Sequence, residues 1–171
     1  NTITIPKIAS QASNNGGSLY FTYTGNNGSQ VGLHIRRATD IPALDLANWY
    51  ELDEDARRAK IQSYLDEVTA YRGTLSATGA ENPKNVTEIS VPSVLLSLPV
   101  TAVPTGATVQ SIENTILAWE QIMQICRTTQ GIATENGQNR FAVRQNVRCM
   151  QMFEGAFMYA AGSHIGIGAG S

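Results

Sequence analysis

Residues 89–104 read ISVPSVLLSLPVTAVP, and this run limits the fold more than any other. Pro92, Pro99 and Pro104 remove backbone donors and forbid a long helix. The run is also too apolar for a free linker, so it reads as extended segments packed on a partner or a neighbouring subunit. Its apolar middle, Val91 to Val103, is too short and too interrupted to span a bilayer.

Helix signals flank this run. Asp53 is placed to cap a helix that Glu54 and Asp55 favour electrostatically and Gly73 ends. Ile61, Tyr64, Leu65, Val68 and Tyr71 form its apolar face, and Glu54–Arg58 is a favourable i,i+4 pair. A second helix begins at Thr108 or Ser111, runs to about Gln130 and stops at Gly131. Its stripe is Ile112, Ile116, Trp119, Met123 and Cys126. Thr39 or Asp40 caps a short helix through Asn48, with Pro42 near its first turn. The spacing of Val143, Val147, Met150, Phe153, Phe157 and Ala161 predicts a last helix starting after Asn136 or Asn139.

Toward the start, Ser18–Thr24 and Gln30–Arg36 alternate around the turn GNNGS, which predicts a β-hairpin over 18–36. Residues 1–17 read as an extended arm, residues 18–161 as one domain, and residues 162–171 as a glycine-rich tail. The expected fold class is therefore α+β. It is mainly a helical cluster of three to four helices, with an N-terminal β-hairpin and an extended N-terminal arm.

A chain of 171 residues buries a core without staples. Its surface is unusual, because only 15% of residues are charged and Lys7, Lys60 and Lys84 are its only lysines. About 25% is ordinary for soluble domains. Amide, hydroxyl and glycine residues take the place of charge, which fits a subunit covered by copies of itself. The net charge of −2 argues against general nucleic-acid binding but leaves room for a local basic groove.

Arg140, Arg144 and Arg148 recur every fourth residue and, on a helix, stack along one stripe beside the core face. Three held guanidinium groups suit bidentate phosphate recognition. The competing reading is a set of salt bridges. In an antiparallel helical hairpin Arg148 faces Glu120, Arg144 faces Gln124 and Arg140 faces Thr128, so the neighbouring helix neutralises one of the three. Arg36 and Arg37 end the second hairpin strand and are a further candidate phosphate contact.

Catalytic signals are absent from this reading. His34 and His164 lie far apart and match no metal-ligand spacing, so no catalytic residue, metal ligand or cofactor is assigned. Cys126 and Cys149 both fall in expected helices and read as reduced core thiols. Asn27-Gly28-Ser29 and Asn85-Val86-Thr87 match the N-glycosylation pattern in expected loops.

The functional expectation is a self-assembling structural subunit and not an enzyme. A viral coat protein is the leading form, located in the virion. Its partners are copies of itself and single-stranded RNA or DNA, bound without sequence preference at the arginines. One alternative is a secreted or surface filament subunit without nucleic acid. The other is a small enzyme with its site at a subunit interface.

Overall fold

The computed structural model describes residue 35 and residues 39–78, 82, 84–131, 144–150, 158–161 and 164–168. Strand β1 (Ala43–Asp45) leads through a 3-10 turn at Trp49–Glu51 into helix α1 (Glu54–Arg72). Strands β2 (Thr87–Ser90) and β3 (Val94–Leu98) follow, then a 3-10 turn at Val100–Ala102 and helix α2 (Val109–Thr129). Strands β4 (Gln145–Met150), β5 (Met158–Ala161) and β6 (His164–Gly168) complete the order.

The six strands form one mixed sheet in the order β1-β2-β3-β4-β6-β5. Pairs β1–β2, β3–β4 and β4–β6 are parallel, and β2–β3 and β5–β6 are antiparallel. Helix α1 is the crossover between β1 and β2, and α2 lies in the crossover between β3 and β4. Parallel neighbours need such long connections, which is why helices and strands interleave along the chain.

Local chemistry explains both helices. Asp53 is extended, and its carboxylate accepts from the Ala56 N–H at 2.8 Å. Thr108 and Ser111 satisfy each other reciprocally: the Thr108 hydroxyl accepts from the Ser111 N–H at 3.2 Å, and the Ser111 hydroxyl from the Thr108 N–H at 2.8 Å. Gly131 takes a φ of 67° just past the end of α2, where a side chain is strained.

One face of the sheet meets the helices. Register places Leu44, Ile89, Leu96 and Val147 in a row across four strands, and all four are buried. Ile61, Tyr64 and Val68 of α1 and Ile112 and Ile116 of α2 close over this row. The Tyr64 hydroxyl lies 3.0 Å from the Thr87 hydroxyl, which donates to the Pro42 carbonyl at 2.8 Å. This buried chain ties α1, β2 and the entry to β1 together.

The architecture corrects the expected helical cluster. It is an α/β fold with two helices among the described residues. The short helix expected through Asn48 is β1 and a 3-10 turn, since Leu44 and Leu46 are each buried with an exposed residue between them. The expected last helix is replaced in its first half by β4, because β3 and β6 offer Val147 backbone partners on both sides. The proline-broken run is extended through β3 and then makes a 3-10 turn at Val100–Ala102, and β2 and β3 lie inside the chain's own sheet, with Val91, Val94 and Val100 at 1% exposure or less. His164–Gly168, within the glycine-rich end, is an interior strand. The arm over 1–17 and the hairpin over 18–36 lie outside the described residues, apart from Ile35.

Candidate functional site

Successive side chains on a strand point to opposite faces, so the sheet face away from the helices is fixed by the same register. It carries Asp45 and Ser90, paired across β1 and β2, and Leu95 and Asn146, paired across β3 and β4. Next to these runs a second row, Glu88, Ser97, Arg148, Gly166 and Tyr159. This face is polar where the other is apolar.

Its contacts fall into two parts. On the β1–β3 side, Ser90 donates to the Asp45 carboxylate at 3.1 Å and Ser97 donates to the Glu88 carboxylate at 2.9 Å. On the β4–β6 side, Arg144 donates to the Ser90 hydroxyl and, at 3.5 Å, to the Val94 carbonyl. Arg148 Nε donates to the Asn146 side-chain oxygen at 3.5 Å. The Tyr159 ring lies over Gly166, where an added Cβ would fall 2.1 Å from Tyr159 Cε1. The Tyr159 hydroxyl sits 2.6 Å from His164 Nε2, with the rings edge to face. Acidic groups therefore occupy the β1–β2 side of this face, and cations the β4 side.

The arginine stripe is thus a strand feature. Arg144 directly precedes β4 and Arg148 lies within it, with Asn146 between them on one face. The expected Arg148–Glu120 pairing does not form. Glu120 instead accepts from the Ser93 N–H at 2.9 Å and from the Ser93 hydroxyl at 2.6 Å. Arg127 donates to the same hydroxyl at 2.9 Å. This bracket fastens α2 to the β2–β3 turn, and no spacing in the sequence announces it. Arg140, Arg36, Arg37 and His34 lie outside the described residues.

The remaining candidates resolve by burial. Asn85 is buried, donating to the Thr78 carbonyl at 2.7 Å and the Thr101 hydroxyl at 3.2 Å, so folding closes that glycosylation pattern. Asn27 lies outside the described residues. Cys126 is an exposed thiol on α2 and Cys149 a half-buried one on β4, in place of two helical core thiols. Burial raises the Cys149 thiol pKa above its ordinary value.

Among the described residues no group of three or more His, Cys, Asp or Glu side chains is placed to hold a metal ion. His164, the one described histidine, is engaged by Tyr159. No helix among the described residues is long and apolar enough to cross a membrane.

No protein-family model matches the chain, and no curated protein matches its sequence. Solved structures that share the fold include two metallopeptidases. One is the M60 catalytic domain of Clostridium perfringens ZmpC in complex with the sialyl T antigen, at 20% identity and a TM-score of 0.51. The other is the ZmpB metallopeptidase of the same organism, also at 20% identity and a TM-score of 0.51. Each match covers 76% of this chain and 24% of the neighbour, so the chain spans about a quarter of those structures. The expectation that the chain is not an enzyme is withdrawn, because a similar arrangement of strands and helices occurs within the M60 catalytic domain of ZmpC and within the ZmpB metallopeptidase; at 20% identity the likeness shows the fold alone.

Proposed function

We propose that the chain forms a scaffold portion of a metallopeptidase catalytic domain of the M60 kind. The observation that carries the reading is the fold likeness to two such proteins over 76% of this chain and 24% of theirs. The described residues do not fit a metal centre, so the reading assigns them support and not metal ligation. A mixed sheet backed by two helices suits that role. Rigid elements hold catalytic groups more accurately than loops do.

The test is metal content and chelator-sensitive peptide-bond hydrolysis by the full-length gene product. A bound transition metal together with hydrolysis abolished by chelation supports the proposal. A metal-free product without peptidase activity, on substrates with and without the sialyl T antigen, overturns it.

The nucleic-acid reading loses its helical stripe, because Arg144 precedes a strand and Arg148 lies within it. The coat-protein and filament readings rested on the arm, the charge-poor surface and the proline-broken run; of these, the run lies in the chain's own sheet, and the described residues do not test the rest.

A further inference from the structure

We propose that the polar sheet face binds an oxyanion, a carboxylate or phosphate group, at Arg148, with Arg144 as a second cation on the same face. Among the described residues, both ion pairs belong to Arg58, whose guanidinium meets Glu113 at 3.1 Å and Glu54 at 3.5 Å. Arg57 donates to the Trp49 and Leu52 carbonyls and lies over the Trp49 ring. Arg72 donates to the Val100 and Val103 carbonyls. These three helix cations are occupied by structural contacts.

Arg148 is different. It is half-buried, and among the described residues its hydrogen bond is the 3.5 Å contact from Nε to Asn146. The terminal nitrogens, which form the fork suited to a planar or tetrahedral oxyanion, are not used in that bond. Among the described residues Arg148 has no ion-pair partner, and a partly desolvated guanidinium of that kind favours capture of an anion more than a fully solvated one does. The adjacent strand position is Gly166, over which the Tyr159 ring lies with its hydroxyl at His164. Glu88 is two strands away on the other side, about 10 Å at ~4.8 Å per strand, and is bonded to Ser97. Arg144 lies four residues along, roughly 13 Å at ~3.3 Å per residue. Ser90 and the Val94 carbonyl hold it, so its charge is fixed on the same face.

This inference does not depend on the metallopeptidase reading. The probes are sodium phosphate and sodium acetate, titrated into the 171-residue chain at constant ionic strength with chloride as control. The readout is the arginine side-chain N–H resonances. Arg148 is expected to shift saturably with phosphate, acetate or both, while Arg58 does not, and which ion acts assigns the ligand chemistry. Arg148→Lys keeps the charge but loses the fork and weakens binding about tenfold. Arg148→Gln removes the saturable response, and Arg58→Gln leaves it intact. An Arg148 response equal to that with chloride, or saturable binding retained in Arg148→Gln, overturns the proposal. If Arg148→Gln does not fold, the unsubstituted titration decides alone. Absence of a saturable Arg148 shift there overturns the proposal as well.

Discussion

The two ends of the sheet are built from similarly apolar strands, yet one is sealed and the other is not. On the β1–β3 side Leu44, Ile89, Val94 and Leu96 are buried beneath α1 and α2. On the β4–β6 side Val147 is buried, but Ile165 and Ile167 are half-buried and Met158 is 56% exposed. Strand composition alone therefore does not set burial; helix coverage does. A residue contributes in proportion to the apolar area that covering removes from water.

The largest expected contrast comes from trimming one isoleucine at each place. Ile61→Ala, beneath the helix–sheet interface, lowers the free energy of unfolding by about 2–5 kcal/mol. Ile165→Ala lowers it by about 1 kcal/mol, because less area is lost. Denaturant unfolding measures both, and equal losses break the comparison. Next is Asn85→Ala, which strips partners from the Thr78 carbonyl and the Thr101 backbone and hydroxyl. Thr78 and Thr101 are themselves exposed, so each lost bond costs about 0.5–1.5 kcal/mol, and a loss near zero means that water already serves these groups.

A smaller effect follows pH. Burial raises the Tyr64 phenol above its ordinary 10.0, opposed by the Thr87 hydrogen bond and by Arg72. The folded state thus keeps its proton where the unfolded state releases it. The stabilisation is complete below the unfolded value and is lost as pH rises through the folded one, by at most about 1.4 kcal/mol per pH unit. Tyr64→Phe flattens this alkaline slope, and an unchanged slope assigns it to other groups. The smallest effect concerns thiol rates alone. Cys126 on exposed α2 reacts quickly with a disulfide reagent, and half-buried Cys149, its thiol pKa raised, reacts slowly. Equal rates indicate that β4 is as open as the outer face of α2.

Helix α1 and helix α2 were legible because their signals are local. Asp53, Thr108 and Gly131 act within four residues, and the 3.6-residue stripes of Ile61–Tyr64–Val68 and Ile112–Ile116 face the sheet as read. The segment around β4 was not legible. VRQNVRCM satisfies a helical spacing and a two-residue alternation equally, and short apolar runs leave that choice open. The polar face was hidden for the same reason. Arg148, Gly166 and Tyr159 become neighbours through strand register, and no sequence interval encodes register between β4, β6 and β5.

By itself, the sequence determined where two helices start and stop and that the first part of the proline-broken run is extended, since caps, glycines and prolines act through bonds to nearby backbone. Only the tertiary structure decided that Gln145–Met150 is a strand, that β2 and β3 lie within the sheet, and that Arg144 and Arg148 share a face with Asn146. A strand's hydrogen bonds belong to its neighbours, and those neighbours come from parts of the chain up to about fifty residues away along the sequence.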